Sequence, residues 1–362
     1  MPMETIIDPI SADLIKSELT NTKKIGNTNK GGNELYIVSW QDSPNTVKEI
    51  GRLREIAYRE AGASSGHSMD IDEFDTMDDP YRQLIVWDPD ANAIIGGYRY
   101  ILGTDVKIKP DGQPNMTSAH LYHYSDEFIQ DYLPHVMELG RSFVTPDYQS
   151  SKAGAKALYT MDNLWDGITS VIMCHPGIIY FLGKMTIYPS YDKKARDLIL
   201  HFLWKHFNDT DQLARPYEPV MPESDKALMD LILKGKDLKQ DYVCLKDAVH
   251  RLGTRIPPLV NSYINTSSSM KMLGTSFNDE LADAIETGIM ICFNEIYEDK
   301  KSRHMESFIA NQMSKAEKRF PHWSLSDGKK MKEHIEKRRN RLFQKFIHRK
   351  KVKEQSPDIE FR

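Results

Sequence analysis

The stretch Val136-Met-Glu-Leu-Gly-Arg-Ser-Phe-Val144 predicts a strand, and it decides the fold. Its branched and aromatic residues favour an extended backbone, and Thr145-Pro146 follows as a stop signal. Two charged residues, Glu138 and Arg141, interrupt the apolar run. Alternation along a regular strand would point them to opposite faces, whereas a bulge at Gly140 would change this arrangement.

Strand and helix signals alternate on both sides of this segment. The predicted upstream elements are a strand at 34–38, a helix from about Pro44, and a hairpin of 83–87 with 94–102. The predicted downstream elements are a helix at 154–172, a strand at 178–188, a helix at 195–207 and a strand at 287–293. This alternation predicts an α/β fold with a mixed sheet.

The composition is that of an ordinary soluble protein, with 40% hydrophobic and 28% charged residues among 362. Three widely spaced cysteines, Cys174, Cys244 and Cys292, argue against a disulfide framework and fit a reducing compartment. The longest uncharged run, 167–183, falls short of the ~20 apolar residues of a membrane span. The first residues lack the basic segment of a signal peptide. We therefore expect a cytoplasmic protein that does not cross a membrane.

Positive charge is concentrated near the C-terminus. Residues 329–353 contain twelve Lys or Arg and two Glu, a net charge of +10, in a chain whose net charge is −4. The apolar residues Met331, Ile335, Leu342 and Phe346 recur near one face of a predicted helix. A basic amphipathic helix predicts contact with an anionic membrane or an acidic protein, and a solvated terminal helix is the alternative. The acidic remainder argues against nucleic acid as a partner.

Several motifs in a fixed order resemble one enzyme family. They are Glu138-Leu-Gly-Arg-Ser-Phe-Val144, Trp165-Asp-Gly167, Tyr180-Phe-Leu-Gly183, and Ile256-Pro-Pro-Leu259 with Tyr263. Together they resemble the hemolysin-like GNAT branch with the ornithine-lipid and glycine-lipid N-acyltransferases. A more distant similarity to acyl-homoserine-lactone synthases rests on Arg54, Asp72-Glu-Phe-Asp75, Gly97-Tyr-Arg99 and Glu138-x-x-Arg141.

The resemblance implies a fold and a domain organisation. It covers roughly residues 34–295 and implies a GNAT-like mixed, largely antiparallel sheet flanked by helices. We predict an N-terminal extension and linker at 1–32 and a GNAT-like acyltransferase domain at 33–300, with an insertion at 208–255. A helical, strongly basic C-terminal tail follows at 301–362.

The resemblance also implies an activity. The expected reaction moves a (3-hydroxy) fatty acyl group from acyl carrier protein to the amine of glycine or ornithine, the first step of aminolipid synthesis. No bound cofactor is expected, because the acyl donor brings its own phosphopantetheine thioester. No metal is expected either, because His120 and His123 have no third ligand at metal spacing. The expected location is the cytoplasmic face of the inner membrane, reached through 329–353.

Two alternatives to this activity remain. The first is a lactone synthase that uses S-adenosylmethionine, although the loop at 62–67 lacks the aromatic residues which those enzymes place before the acidic pair. The second is a non-catalytic, hemolysin-like membrane-binding protein, and the presence of both Glu138 and Arg141 counts against it.

Amide formation from a thioester requires a neutral amine, and an amino acid is mostly an ammonium ion near pH 7. A base close to the amine is therefore useful. Glu138, a carboxylate in an otherwise apolar strand, is the candidate for the base or for positioning the amine, with Arg141 as its catalytic partner by resemblance. A salt bridge between the two that only fixes the strand is the alternative.

Four charged residues fall in the first half of the predicted sheet: Arg54, Asp72, Asp75 and Arg99. They predict either an ion-pair network that holds the loop over the hairpin or a polar site for the ammonium and carboxylate of the substrate. Both interpretations remain open, and both can hold together.

A helix N-terminus follows the central strand. Helix N-termini present unpaired N–H groups that suit a phosphate. In GNAT enzymes this position holds the pyrophosphate of coenzyme A, but here the pattern is degenerate. The resemblance therefore implies a site for the single phosphate of phosphopantetheine, at Ser151, Lys152, Gly154 and Ala155.

Overall fold

The computed structural model describes residues 3–62, 65–149, 155–279, 281, 283–319 and 325–355. Its strands are β1 (Lys24–Asn27), β2 (Glu34–Val38), β3 (Arg82–Asp88), β4 (Ala93–Leu102), β5 (Tyr122–Tyr124), β6 (Val136–Val144), β7 (Tyr180–Ile187), β8 (Ala214–Pro216), β9 (Lys271–Asn278) and β10 (Ala284–Cys292). Its α-helices are α1 (Ala12–Glu18), α2 (Pro44–Glu60), α3 (Glu73–Thr76), α4 (Ala155–Cys174), α5 (Lys193–Phe207), α6 (Lys226–Ile232), α7 (Leu238–Arg251), α8 (Pro258–Ile264), α9 (Glu298–Arg319) and α10 (Leu325–Gln355).

One large sheet organises the described residues. Its eight strands lie in the order β1-β2-β3-β4-β6-β7-β10-β9, and β5 pairs with β8 in a separate two-stranded sheet. Neighbouring strands of the large sheet run antiparallel except β6 and β7, which run parallel. The predicted mixed, largely antiparallel sheet flanked by helices is confirmed.

The parallel pair at the centre of the sheet is short. It joins Val136 to Tyr180, Met137 to Phe181 and Glu138 to Leu182. Beyond these positions β6 continues to Val144 beside β4, and β7 continues to Ile187 beside β10. The facing edges of β6 and β7 are therefore not paired with each other beyond Glu138, and a gap opens between the two halves of the sheet.

A bulge bends β6 beside this gap. The register between β4 and β6 shifts between Gly97 and Arg99, and Arg141 has a φ of 47°. The left-handed region is unfavourable for a residue with a side chain, by about 1–3 kcal/mol, and persists where surrounding contacts hold it. The predicted bulge is confirmed, with Arg141 rather than Gly140 as its left-handed residue.

Alternating side chains divide the large sheet into two packed faces. On the α4 face, strand residues pack with α4, α5, α7, α8 and α9 in the main core; examples are Leu84, Tyr98, Met137, Phe181 and Ile289. On the α2 face, the strands pack with α1, α2 and the segment before β6; examples are Ile85, Ile101, Val136, Leu182 and Met290. Residues of even number in β7, in β10 and in β6 as far as Glu138 therefore share the α2 face, and beyond the bulge Phe143 lies on this face as well.

The predicted linker at 1–32 contains ordered elements, so this prediction is wrong. Helix α1 packs on α2 through Ile15, and β1 forms the edge of the large sheet. The side chain of Asn311 in α9 accepts a hydrogen bond from Asn27 N (2.9 Å) and donates one to Asn27 O (2.8 Å). A short, polar edge strand of this kind lacks the apolar alternation that predicts a strand.

The predicted insertion at 208–255 is well packed. It contains β8, α6 and α7, and Leu245 and Val249 of α7 belong to the main core. Its status as an insertion stays a prediction. Strand β9 at the far edge of the large sheet was not predicted.

Helices α9 and α10 lie in the segment predicted as a helical tail, and two apolar side chains of α10 pack against the body of the protein. Phe346 is buried, with ring centroids 5.4 Å from Tyr132 and 5.7 Å from Tyr180. Ile335 packs against the main core. None of the helices that the structure describes combines the length and the apolar composition that crossing a bilayer requires.

Arg339 fastens α10 to the end of α4. Its guanidinium is buried, and it donates to the backbone oxygens of Ile172 (3.0 Å) and Ile178 (2.8 Å). It also lies 4.5 Å from the centroid of the Phe293 ring. Burial lowers the pKa of Arg339 to about 10. The negative end of the α4 dipole favours a cation at this position.

Arg339→Met should lower the free energy of unfolding by about 2–4 kcal/mol, because two buried carbonyl groups lose a charged donor. Chemical denaturation measures this change. Arg341→Met, which removes an exposed arginine from the same helix, is the matched control and should change stability by less than about 0.5 kcal/mol. Equal effects of the two changes would show that Arg339 does not fasten the helix.

Candidate active site

Charged and polar side chains from α2, β3, β4, β6 and residues 70–75 meet on the α2 face beside the gap. We call this group the ionic cluster; its members are Arg54, Asp70, Asp72, Asp75, Gln83, Arg99 and Arg141. The four residues predicted as a network or a substrate site all belong to it. Asp70 and Gln83 were not predicted, because their neighbours along the chain carry no sign of this contact.

The inner part of the ionic cluster is closed to solvent. Arg54 is fully buried, and its Nη1 lies 3.2 Å from one oxygen of Asp75 and 3.3 Å from the other. Its Nη2 donates to the Gln83 side chain, whose amide nitrogen donates to Asp75 (2.8 Å). This geometry matches the ion-pair interpretation of Arg54 and Asp75.

Arg99 connects the inner and outer parts of the cluster. Its Nη1 contacts Asp72 and lies 3.0 Å from Asp75, and only 3% of its side chain is exposed. Burial lowers the pKa of Arg99, but the two carboxylates outweigh burial and raise it. Asp72 and Asp75 also form a capping box at the start of α3. Arg99 therefore holds α3 against β4, and its predicted role in binding substrate stays a prediction.

The outer part of the cluster faces solvent. Asp72 and Arg141 lie 3.3 Å apart, with 28% and 26% of their side chains exposed, and Arg141 Nε lies 3.4 Å from Asp70. Burial raises the pKa of Asp72, but Arg99 and Arg141 bring it well below its usual value. A substrate can therefore reach one permanent negative charge and one permanent positive charge here.

Glu138 sits where β6 and β7 separate, enclosed on the α2 face. Its carboxylate accepts hydrogen bonds from the Tyr81 hydroxyl, from Thr117 N (3.2 Å) and from Ser118 N (2.9 Å). Arg141 pairs with Asp70 and Asp72 and not with Glu138. The alternative of a Glu138–Arg141 salt bridge is thus wrong, because the bulge turns Arg141 toward α3. The catalytic roles of Glu138 and Arg141 stay predictions.

A second polar group, which was not predicted, lies on the same face across the gap. We call it the Glu286 cluster; its members are Lys184, Thr186, Asn278 and Glu286. Glu286 accepts from Lys184 Nζ (2.6 Å), Thr186 Oγ1 (3.0 Å) and Asn278 Nδ2 (3.0 Å). Burial raises the pKa of Glu286, but these donors lower it overall.

Tyr188 directly follows β7 and is half-buried. Burial, and next the charge of Glu286, raise the pKa of Tyr188 to about 12, whereas the charge of Arg141 lowers it. Glu286 and Arg141 therefore act on the pKa of Tyr188 in opposite directions.

The predicted phosphopantetheine site falls at the start of α4. Ser151, Lys152 and Gly154 lie outside the described residues, and Ala155 is the first residue of α4. This site stays a prediction.

Two other motifs hold the fold together. In Trp165-Asp-Gly167, the buried Asp166 lies 2.7 Å from His304 Nδ1 and accepts from Asn29 N (2.8 Å), which joins α4 to α9 and the N-terminal segment. Tyr263 of α8 is buried in the main core together with Tyr98 of β4. In the described part of the chain, no group of three His, Cys, Asp or Glu side chains is arranged to hold a metal ion.

The chain matches a known domain family and is similar in sequence to known proteins. Residues 53–159 match the family model of the acetyltransferase (GNAT) domain, which confirms the GNAT-like fold. The glycine N(alpha)-acyltransferase of Phocaeicola vulgatus is 50% identical over 307 residues, 85% of this chain and 94% of the relative. That of Bacteroides thetaiotaomicron is 52% identical over 308 residues, 85% of this chain and 91% of the relative.

Among solved structures, a CoA-dependent acyl-homoserine lactone synthase with SAM and isopentyl-CoA resembles the chain at 13% identity. The match covers 76% of this chain and 90% of the synthase, with a TM-score of 0.33.

Arg99→Ala should lower the free energy of unfolding by about 3–5 kcal/mol, because it leaves two carboxylates without their shared buried partner. Chemical denaturation measures the loss. Arg82→Ala, on the strand next to β4, removes an exposed pair with Asp105 and should cost less than about 1 kcal/mol. If Arg99→Ala instead keeps its stability and raises the KM for the substrate, Arg99 binds substrate and the ion-pair interpretation is wrong.

Proposed function

Because the chain belongs to the GNAT N-acyltransferase family that includes both glycine N(alpha)-acyltransferases, we propose that it transfers a fatty acyl group to the amine of glycine. The observation that carries this proposal is the sequence identity of 50% and 52%, which extends over 94% and 91% of the two relatives. The same observation favours an acyltransferase over a lactone synthase and over a non-catalytic membrane-binding protein. The product would be an N-acylglycine, the precursor of an aminolipid.

The ionic cluster supports an amino acid as the acceptor. Asp72 and Arg141 offer opposite charges at its exposed edge, and a free amino acid carries opposite charges on two neighbouring groups. Glycine is preferred to ornithine in this proposal because both relatives are named for glycine.

The gap between β6 and β7 supports a donor with a long, thin arm. Beyond Glu138, β6 has β4 as its partner on one edge only, so N–H and C=O groups of the other edge face the gap. The amide groups of phosphopantetheine can pair with such an edge as an added strand does. We propose acyl carrier protein as the source of this arm, with its phosphate at the start of α4.

The reaction forms a C–N bond and breaks a C–S bond. The amine nitrogen loses a proton as it attacks the thioester carbon, and the leaving sulfur gains one. We propose that Glu138 accepts the proton of the amine, since it lies at the closed end of the gap. The three donors around Glu138 hold its carboxylate in one orientation.

The exposed face of α10 supports a peripheral position at the membrane. Lys337, Arg338, Arg341 and Lys345 are exposed, while Phe346 and Arg339 pack against the body. We propose that this basic face binds the anionic inner membrane from the cytoplasmic side, where the lipid product is needed.

The purified protein should acylate glycine with a 3-hydroxy fatty acyl group supplied on acyl carrier protein. Mass spectrometry of the product measures this. Ornithine, alanine and serine serve as competing acceptors, and acyl-CoA serves as the competing donor. Preferential acylation of ornithine, or equal use of acyl-CoA, would contradict the proposed acceptor or donor respectively.

The same assay on Glu138→Gln separates enzymatic acylation from spontaneous reaction of the thioester. Loss of a general base lowers turnover by about 10²–10⁴-fold. Circular dichroism must show that this variant folds, since the new amide faces backbone N–H groups. Turnover equal to that of the unchanged protein would remove Glu138 from the mechanism.

Reversing the charge of Lys337, Arg338, Arg341 and Lys345 to Glu should release the protein from anionic vesicles. Each basic residue near such a surface contributes about 1 kcal/mol of binding free energy. Co-sedimentation across a salt series measures this, and reversal of the exposed Lys226, Lys234, Lys236 and Lys239 is the matched control. If vesicle binding persists but the KM for acyl carrier protein rises, α10 binds the carrier instead.

A further inference from the structure

The Glu286 cluster has no role in the function described so far. Lys184 and Thr186 lie on β7 beyond Leu182, the last residue that pairs with β6. Because side chains alternate along a strand, Lys184 and Thr186 share the α2 face with Leu182. The cluster therefore borders the gap on the side opposite the ionic cluster.

Lys184 is the more accessible of the two charged members of the cluster. Its side chain is 18% exposed, whereas that of Glu286 is 4% exposed. An ammonium group has three N–H donors, and Glu286 takes one of them at 2.6 Å. Glu286 is itself fixed by Thr186 and Asn278. The buried part of the cluster thus holds one half-buried cation in a fixed place at the gap.

There is room for a small ligand beside Lys184. Gly140 lies on β6, two residues beyond the last pair with β7, and a methyl group added to its Cα would meet no other atom within 4 Å. Arg141, the residue after Gly140 on β6, pairs with Asp72 on that side of the gap.

The two exposed cations differ in how strongly they are already neutralised. Arg141 faces two carboxylates, Asp70 and Asp72, whereas Lys184 faces one, Glu286. A third carboxylate near Arg141 would meet repulsion from both aspartates. Lys184 is therefore a better partner for an incoming carboxylate than Arg141.

We propose that Lys184 binds the carboxylate of the amino acid acceptor, and that Glu286 acts as a positioning residue that holds Lys184 for this contact. The inference rests on the proposed function and adds the reason why the acceptor must be an α-amino acid rather than a simple amine. The carboxylate contact is present in substrate and product alike, so it acts on binding more than on turnover.

The test compares glycine with glycinamide, which has the same amine and lacks the carboxylate charge. Lys184→Met should raise the KM for glycine by about tenfold to hundredfold, the worth of one hydrogen bond between charged groups, with a much smaller change in kcat. The ratio of kcat/KM for glycine to that for glycinamide should fall by the same factor. Because the ratio is compared between variants, the different basicities of the two amines cancel.

A charge-balanced double variant and a matched control complete the test. Lys184→Met with Glu286→Gln removes both charges, so no buried carboxylate is left unpaired, and it should show the same loss of preference. Lys271→Met is the matched control, because Lys271 is a half-buried lysine of β9 that pairs with Asp209 and Asp211. This variant should prefer glycine over glycinamide as strongly as the unchanged protein does.

The outcomes separate the two proposals. If the unchanged protein acylates neither amine, the proposed function fails. If it acylates glycine, and the double variant folds and still prefers glycine over glycinamide as strongly as the unchanged protein, the role of Lys184 is wrong while the proposed function stands.

Discussion

The candidate active site depends on the short parallel pairing between β6 and β7. In the described strands, three residue pairs join β6 to β7, and Glu138 is the last residue of β6 to take part. A longer pair would close the sheet, cover Gly140 and leave no unpaired strand edges between β6 and β7. A shorter pair would separate the two halves of the main core, since Met137 and Phe181 both belong to it. The gap is the point where sheet pairing stops but packing on both faces continues.

Charge on the α2 face follows from this geometry. Backbone hydrogen bonds between β6 and β7 would close the gap. The bulge at Arg141 prevents regular pairing there. The bulge also directs Arg141 toward Asp70 and Asp72, which lie just before and at the start of α3. Arg99 then joins α3 to β4. The ionic cluster thus stabilises the bend that keeps the gap open, and its exposed edge remains available to a ligand.

Much of the fold could be predicted because its central elements have strong local patterns. The hairpin of β3 and β4, the strand β6 and the helices α2 and α4 each carry their own periodicity, and the cluster of Arg54, Asp72, Asp75 and Arg99 was expected from resemblance. The Glu286 cluster was not, because Lys184 and Glu286 are 102 positions apart and each resembles an ordinary strand residue. In the sequence, Arg339 is one of twelve Lys or Arg residues at 329–353 and has no feature that sets it apart. Only tertiary contact distinguishes a buried guanidinium from its exposed neighbours.

The contact between Arg339 and α4 also sets an order of events during synthesis. Arg339 follows Ile172 by 167 positions. At 5–20 residues per second, the end of α4 therefore leaves the ribosome about 8–33 s before its guanidinium partner is made. During that interval the aromatic surface of Tyr132 and Tyr180 also lacks Phe346. This aromatic surface stays uncovered until α10 is synthesised, so the body cannot complete its packing before that helix arrives.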